Sequence, residues 1–217
     1  VKAYQFRQCP RPGCRFRFPA EAGDPGGETC PLCGAATRIE ALVQAAPEAS
    51  PPAQPLLHPP LEALLDNIRS AWNAGAIFRS ADGAGVSHLH LCGLTPTPEN
   101  PKVGKTSLGS ERSVSWSWRP NGLDHALHLR QSGMRLWALE DGPRAVPLSQ
   151  AGPLLPGSPI VLIVGNELCG IDPAIQALCD QQWCIPMQGV KRSLNVAVAF
   201  SIAVYFLRFP GVDRSAG

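Results

Sequence analysis

The sequence predicts an α/β domain on a mainly parallel sheet, preceded by a small cysteine-rich module. From Leu61 on, short apolar runs alternate with helical patterns, the order of an α/β fold. Ile160-Val-Leu-Ile-Val164 is a continuous apolar run, as in a strand covered on both faces. Four of the eight cysteines, Cys9, Cys14, Cys30 and Cys33, crowd the first 33 residues.

Composition bounds the function classes. The 217 residues suit one larger domain with an appendage, and 44% hydrophobic residues suffice for a core. With 21 Gly and 23 Pro, many turns and an unfolded linker are expected. A net charge of +2, from 19 Lys and Arg against 17 Asp and Glu, excludes a histone-like binder but allows a local basic patch. Residues 1–10 hold no apolar core of the secretory kind. The longest apolar run, residues 196–207, is shorter than the ~20 residues that span a bilayer. A soluble, cytoplasmic protein with no membrane partner is expected.

Residues 1–40 form the first module. Cys9-Pro-Arg-Pro-Gly-Cys14 and Cys30-Pro-Leu-Cys33-Gly34 have the spacing of a zinc ribbon, two tight turns each aiming two thiolates at one ion. Four protein ligands leave no open position, so the zinc is structural. So few residues cannot bury enough core alone, and a metal supplies the missing stability. Iron is not separated from zinc by spacing. Two disulfides are the alternative, disfavoured where no export signal is seen. Arg7, Arg11, Arg15, Arg17 and Arg38 interleave with Phe6, Phe16 and Phe18. That mixture suits RNA phosphates and unstacked bases, or equally a solvated basic face over a Phe mini-core. Cys92, Cys169, Cys179 and Cys184 sit among apolar neighbours and read as core packing.

Residues 41–60, rich in Ala, Pro and Gln, read as a semi-rigid linker, and residues 61–217 as the larger domain. Within it, 61–68 is a strand or short helix, 73–83 a helix, 88–92 a strand, 96–105 a Pro-broken loop and 114–118 an alternating strand. Residues 123–130 read as a helix, and 135–139, 159–164 and 183–186 as strands. Residues 194–207 form a helix apolar nearly all round, hence buried. His88 and His90 share a strand face, but with no third ligand in view a surface or core role is expected. His125 and His128 carry no functional reading.

Three segments carry chemistry. In the first, residues 66–82, Asn73 and Arg79 lie six apart and converge only if Asn73 stands at the helix start, while Gly75 permits close approach of backbone or ligand. In the second, an apolar strand runs into Gly165-Asn-Glu167-Leu-Cys-Gly170, then Asp172 as N-cap and Pro173 as first helical residue. Loops at the carboxyl ends of parallel strands are where such sheets bind ligands. In the third, Ile185-Pro-Met187-Gln-Gly-Val-Lys-Arg-Ser193-Leu194-Asn195, a strand enters a glycine-containing loop, with Ser193 a plausible cap for the last helix.

Together the segments resemble the signature blocks of the SpoU (TrmH) family of RNA methyltransferases in the SPOUT superfamily. Asn73, Gly75 and Arg79 match the first block; Gly165, Glu167 and Gly170 the second; Ile185 to Val196 the third. Lys105-Thr-Ser-Leu-Gly-Ser-Glu111 is similar to a further family segment. Ala74, Ala76 and Arg192 depart from the usual residues. The resemblance covers about residues 61–208. It implies a SPOUT domain whose C-terminal part is tied in a trefoil knot, a homodimer with its site near the interface, and transfer of methyl from S-adenosylmethionine to a ribose 2′-hydroxyl of tRNA or rRNA. It assigns S-adenosylmethionine to Leu139, Glu140, Val164, Gly165, Asn166, Gly170, Ile185, Met187, Ser193 and Leu194. It assigns catalysis to Asn73, Arg79, Glu167, Ser193 and Asn195. Arginine stays protonated at any working pH, so Arg79 is expected to stabilise the developing alkoxide while RNA phosphate or solvent takes the proton. Arg69, Lys102, Lys105, Lys191 and Arg192 are candidate RNA contacts. Two alternatives stand beside this reading: a SPOUT enzyme methylating a base, and a catalytically inactive RNA-binding or assembly protein.

Overall fold

The computed structural model describes residues 3–44, 60–152, 154, 157 and 159–209. The chain divides into two compact units, Val1–Pro55 and Leu56–Gly217.

In the first unit β1 (Ala3–Gln8), β2 (Arg17–Glu21) and β3 (Arg38–Gln44) form an antiparallel sheet in the order β2-β1-β3. The sheet thus continues past residue 40, and the rest of the expected linker, residues 45–59, lies outside the described residues. Arg7 donates to Thr37 Oγ1 at 2.8 Å, and Thr37 Oγ1 donates to the Gly27 carbonyl at 2.7 Å. These bonds close the turn at 25–28 over one face of the sheet. The four sulfurs of Cys9, Cys14, Cys30 and Cys33 lie within 4.8 Å of one another, with Cys9 to Cys33 at 3.6 Å and Cys14 to Cys30 at 3.7 Å. A tetrahedral ion with ~2.3 Å bonds to sulfur sets edges of about 3.8 Å, so the cluster fits one metal. All four thiols are free, which leaves the disulfide alternative without support.

The second unit is built on a sheet of β4 (Leu61–Asp66), β5 (His88–Cys92), β6 (Ser115–Arg119), β7 (Arg135–Leu139), β8 (Val146–Pro147), β9 (Ile160–Val164) and β10 (Gln181–Cys184). The order is β6-β5-β4-β9-β7-β10-β8, and every pairing among the described residues is parallel. Among the described residues, four α-helices lie between strands, α1 (Ala71–Gly83), α2 (Pro101–Ser107), α3 (Gly122–Gln131) and α4 (Pro173–Leu178), and α5 (Val196–Arg208) follows β10. Alternation along each strand feeds two cores. Leu61, Ala63, Leu65, Ile160 and Leu162 pack with Ile77 and Phe78 of α1 and Phe200 and Val204 of α5. Leu64, Val161 and Ile163 pack with Ala126 of α3 and Ile175 of α4. Both faces of β9 are therefore buried, as its unbroken apolar run predicts.

Several boundaries differ from expectation. Residues 61–66 are a strand. The expected Pro-broken loop contains α2: Asn100 caps it by accepting from the Lys102 N–H at 3.0 Å, and Pro101 opens the helix instead of breaking it. β10 ends at Cys184, two residues early. The last helix is capped by Asn195, not Ser193; the Asn195 side chain accepts from the Ala197 N–H at 2.9 Å. Nor is that helix covered all round, since Val198, Ile202 and Tyr205 stand exposed along one stripe. No helix among the described residues is long and apolar enough to cross a membrane.

The histidines form a network that short-range spacing could not show. His90 Nε2 meets Glu62 Oε2 at 2.7 Å, and His90 Nδ1 meets His125 Nε2 at 2.8 Å. Burial first, then His90, pushes the His125 pKa down to about 4. The His90 hydrogen bond holds the Glu62 carboxyl below its usual value. In the unfolded chain His125 protonates near ~6.5, so between that value and its folded one the unfolded state binds the extra proton. The Glu62 contribution is likewise present at neutral pH and lost in acid. Thermal stability is expected to fall as pH drops below ~6.5, and less steeply in His125→Gln. Melting curves across that window check this; an unchanged slope in the variant would exclude His125 as its source.

Candidate active site

Because the strands are parallel, their carboxyl ends share one edge, and the segments leaving β4, β7, β9 and β10 meet there. After β4, Asn67 adopts a left-handed φ of 56°. Its Oδ1 accepts from the Leu94 N–H at 3.0 Å, and its carbonyl accepts from Asn166 Nδ2 at 2.7 Å. After β9 the chain folds back on itself. Asn166 and Gly170 exchange backbone hydrogen bonds of 3.0 and 2.9 Å, and Gly170 takes φ 75°. A Cβ on Gly165 would land on the Gly170 carbonyl carbon and the Ile171 nitrogen, well inside van der Waals contact, so only glycine fits. The Ile171 N–H donates to Glu140 at 3.2 Å, tying the end of β7 to this loop. Burial raises the Glu140 carboxyl above its ordinary range.

These loops enclose a cavity of about 260 Å³. Leu139, Glu140, Val164, Gly165, Asn166, Gly170, Ile185, Ser193 and Leu194 all line it, with Glu167, Asn195 and Arg192. Met187, in the loop between β10 and α5, does not. Sequence reasoning passed over Cys184, Val196 and Ala199, which also line it. Val196 and Ala199, three apart, share one face of the first turn of α5.

An open groove adjoins the cavity, lined by Arg69, Ser70, Asn73, Glu167 and Asn195. Glu167 is its hub. Its carboxylate accepts from the N–H groups of Arg69 (2.9 Å) and Ser70 (3.0 Å), at the start of α1, and from Asn73 Nδ2 (2.8 Å). A carboxylate at a helix N-terminus also gains from the helix dipole. Burial raises its pKa, but these hydrogen bonds outweigh burial and hold it below the usual carboxylate value. Asn73 Oδ1 in turn accepts from Asn195 Nδ2 at 3.0 Å. The Asn73 amide is thus fixed at both ends, and Glu167 and Asn195 belong to cavity and groove alike.

A profile of the SpoU rRNA Methylase family matches residues 60–205. The chain belongs to that family. The 23S rRNA (guanosine(2553)-2'-O)-methyltransferase RlmP of Bacillus subtilis is 32% identical over 149 residues, 67% of this chain and 56% of the relative. The tRNA (guanosine(18)-2'-O)-methyltransferase of Aquifex aeolicus is 31% identical over 145 residues, 67% of each chain. The AdoMet-bound rRNA methyltransferase structure from Sinorhizobium meliloti superposes with a TM-score of 0.65 at 27% identity, over 70% of this chain and 57% of that one. The matched part thus spans between 56% and 67% of these two curated relatives.

In SpoU terms, the second and third signature blocks line the cavity together with Leu139 and Glu140, and Asn73 of the first lines the adjoining groove. Gly75 of the first block admits backbone rather than ligand: a Cβ there would strike Thr106 Oγ1 and the Val103 carbonyl of α2. Arg79 is not brought to the site. Asn73 is the third residue of α1, and six further residues rise about 9 Å and turn about 240°. Arg79 is exposed and lines neither cavity nor groove. Of the candidate RNA contacts, Arg69 lines the groove and Arg192 the cavity, while Lys102, Lys105 and Lys191 are exposed.

Proposed function

We propose that the protein transfers methyl from S-adenosylmethionine to a ribose 2′-hydroxyl of tRNA or rRNA. The observation that carries this reading is the Glu167–Asn73–Asn195 junction, which joins the cavity to an open groove through shared residues. The cavity suits the cofactor. Leu139, Ile185 and Leu194 would hold the adenine, and Glu140 and Asp141 supply acceptors for ribose hydroxyls and cationic groups. When bound, S-adenosylmethionine supplies an electrophilic methyl group. The chain's part is to align the 2′-oxygen, since holding reactants in contact gives much of the acceleration. Asn73 and Asn195 would position the ribose in the groove, with Ser193 at the cavity wall, while Glu167 fixes the Asn73 amide. The relatives' names, ribose methyltransferases of 23S rRNA and tRNA, support the substrate class.

Arg79 points away from its own cavity, and the exposed stripe Val198, Ile202 and Tyr205 lies on α5, which packs on α1. Both observations support a homodimer in which Arg79 of one chain stabilises the alkoxide at its partner's site. The trefoil knot of the family, one zinc ion on Cys9, Cys14, Cys30 and Cys33, and a place beside RNA in the cytoplasm complete the reading.

Transfer of labelled methyl to unmodified RNA, followed by nucleoside analysis, tests it. A 2′-O-methylated nucleoside is expected, lost in Arg79→Ala and in Asn195→Ala. Mixing those two inactive variants is expected to restore about a quarter of the activity, because half the dimers are mixed and each holds one intact site. No restoration places Arg79 in its own chain's site. A methylated base overturns the ribose assignment, and cofactor binding without turnover on any RNA favours a scaffold.

A further inference from the structure

We infer that the open face of the β2-β1-β3 sheet is a stacking platform for single-stranded RNA. This rests on the proposed RNA substrate and adds a second, non-catalytic contact.

Directly paired residues share a sheet face, and the register therefore sorts the side chains. Gln5 and Arg7 pair with Ala20 and Phe18 of β2 and with Leu42 and Ile39 of β3. That face is partly roofed: the Ala20 Cβ sits 2.7 Å from where a Gly27 side chain would begin, and Arg7 is bonded to Thr37. Phe16 and Phe18 meet at 5.7 Å between ring centroids with their planes tilted by 35°, and Phe16 stays exposed.

Phe6 lies on the opposite face with Tyr4 and Gln8. Its paired neighbours are Pro19 and Ala41, both small, and Phe6 is 38% exposed. Tyr4 and Phe6, two residues apart on the central strand, stand about 7 Å from each other, a spacing that offers each of two splayed bases its own ring. Two residues further along, Arg17 and Arg38 both pair with Gln8, one on either side, and both are exposed. Gln8 Oε1 accepts from Arg17 at 3.4 Å, and Arg38 bonds Glu40 at 2.5 Å. Two rings leading to two guanidinium groups match an unpaired strand: π-faces for bases, then cations for phosphates. A duplex hides its base faces and would leave the rings idle.

The test is fluorescence anisotropy of the full chain with a labelled single-stranded RNA of about ten nucleotides, at several salt concentrations. Phe6→Leu keeps apolar bulk but removes the π-face; about tenfold weaker binding is expected, with metal content unchanged, and Phe6→Trp restores affinity. Arg17→Ala and Arg38→Ala are expected each to reduce the salt slope by about one phosphate. Leu42→Ser, on the other face, leaves affinity unchanged. Wild-type affinity in Phe6→Leu, or a duplex competing as well as the single strand, overturns the platform. Methyl transfer, measured separately, tells the readings apart: its absence with ring-dependent binding intact removes only the catalytic proposal.

Discussion

Gly165→Ala is expected to weaken S-adenosylmethionine binding by up to about 100-fold. The added methyl would meet the Gly170 carbonyl carbon and the Ile171 nitrogen, backbone atoms that have no rotamer to turn away. Those atoms are already fixed. Gly170 is bonded to Asn166 through both its N–H and its carbonyl, and the Ile171 N–H is held by Glu140. Relief therefore requires the loop to open, which moves Asn166 and Glu167 together. Overpacking costs about 1–3 kcal/mol in ordinary cores, and the same strain placed on the cavity wall is an affinity loss of up to about 100-fold. Calorimetric titration measures it, with circular dichroism to show that the sheet persists. Gly104→Ala serves as the control, because a Cβ there meets nothing within 4 Å. Unchanged affinity in Gly165→Ala would remove this cavity as the cofactor site.

Stripping metal from the first unit is expected to unfold it while the second unit keeps its own transition. The first unit buries little: Phe6, Ile39, Leu42 and Val43 are all exposed, and among its described apolar residues only Cys9 and Cys30 are buried. The cysteine cluster is then the organising core, and the free energy of binding the proposed ion there would be the folding free energy. A strong chelator should remove one zinc per chain by mass spectrometry and the contribution of β1, β2 and β3 to the circular dichroism. Cys30→Ala should do the same without chelator. A sheet that survives metal loss would show that the described contacts suffice alone.

The sequence made the layered architecture readable because the strands are short, apolar and well separated; β5 and β7 begin and end where their patterns do. Ends governed by capping were less readable. Pro101 reads as a breaker until Asn100 is seen to cap the turn, and Ser193 competes with Asn195 for one role because either side chain can accept from a free N–H. The histidine network was invisible because Glu62, His90 and His125 come from three elements, and only the strand register and the helix position bring them together. The Cys9, Cys14, Cys30 and Cys33 cluster was legible from spacing alone. The site junction was not: spacing says nothing of residues 94 and 122 apart, the separations of the Asn73 bonds to Glu167 and Asn195. Family resemblance grouped them, together with Arg79, which in its own chain lines neither cavity nor groove.

The doubly anchored Asn73 amide has a consequence for how the protein is made. Its second anchor, Asn195, opens the last helix, which a ribosome extruding from the amino end delivers after every strand of the sheet. Until that helix docks, Asn73 lacks one tether and the cavity lacks the wall formed by Leu194, Val196 and Ala199. Such long-range closures are slow to form, because the loop entropy must be met before the contacts repay it. A nascent chain therefore holds its sheet with an unfinished site until residues 194–199 have emerged and α5 has docked, and only then is the cavity wall complete.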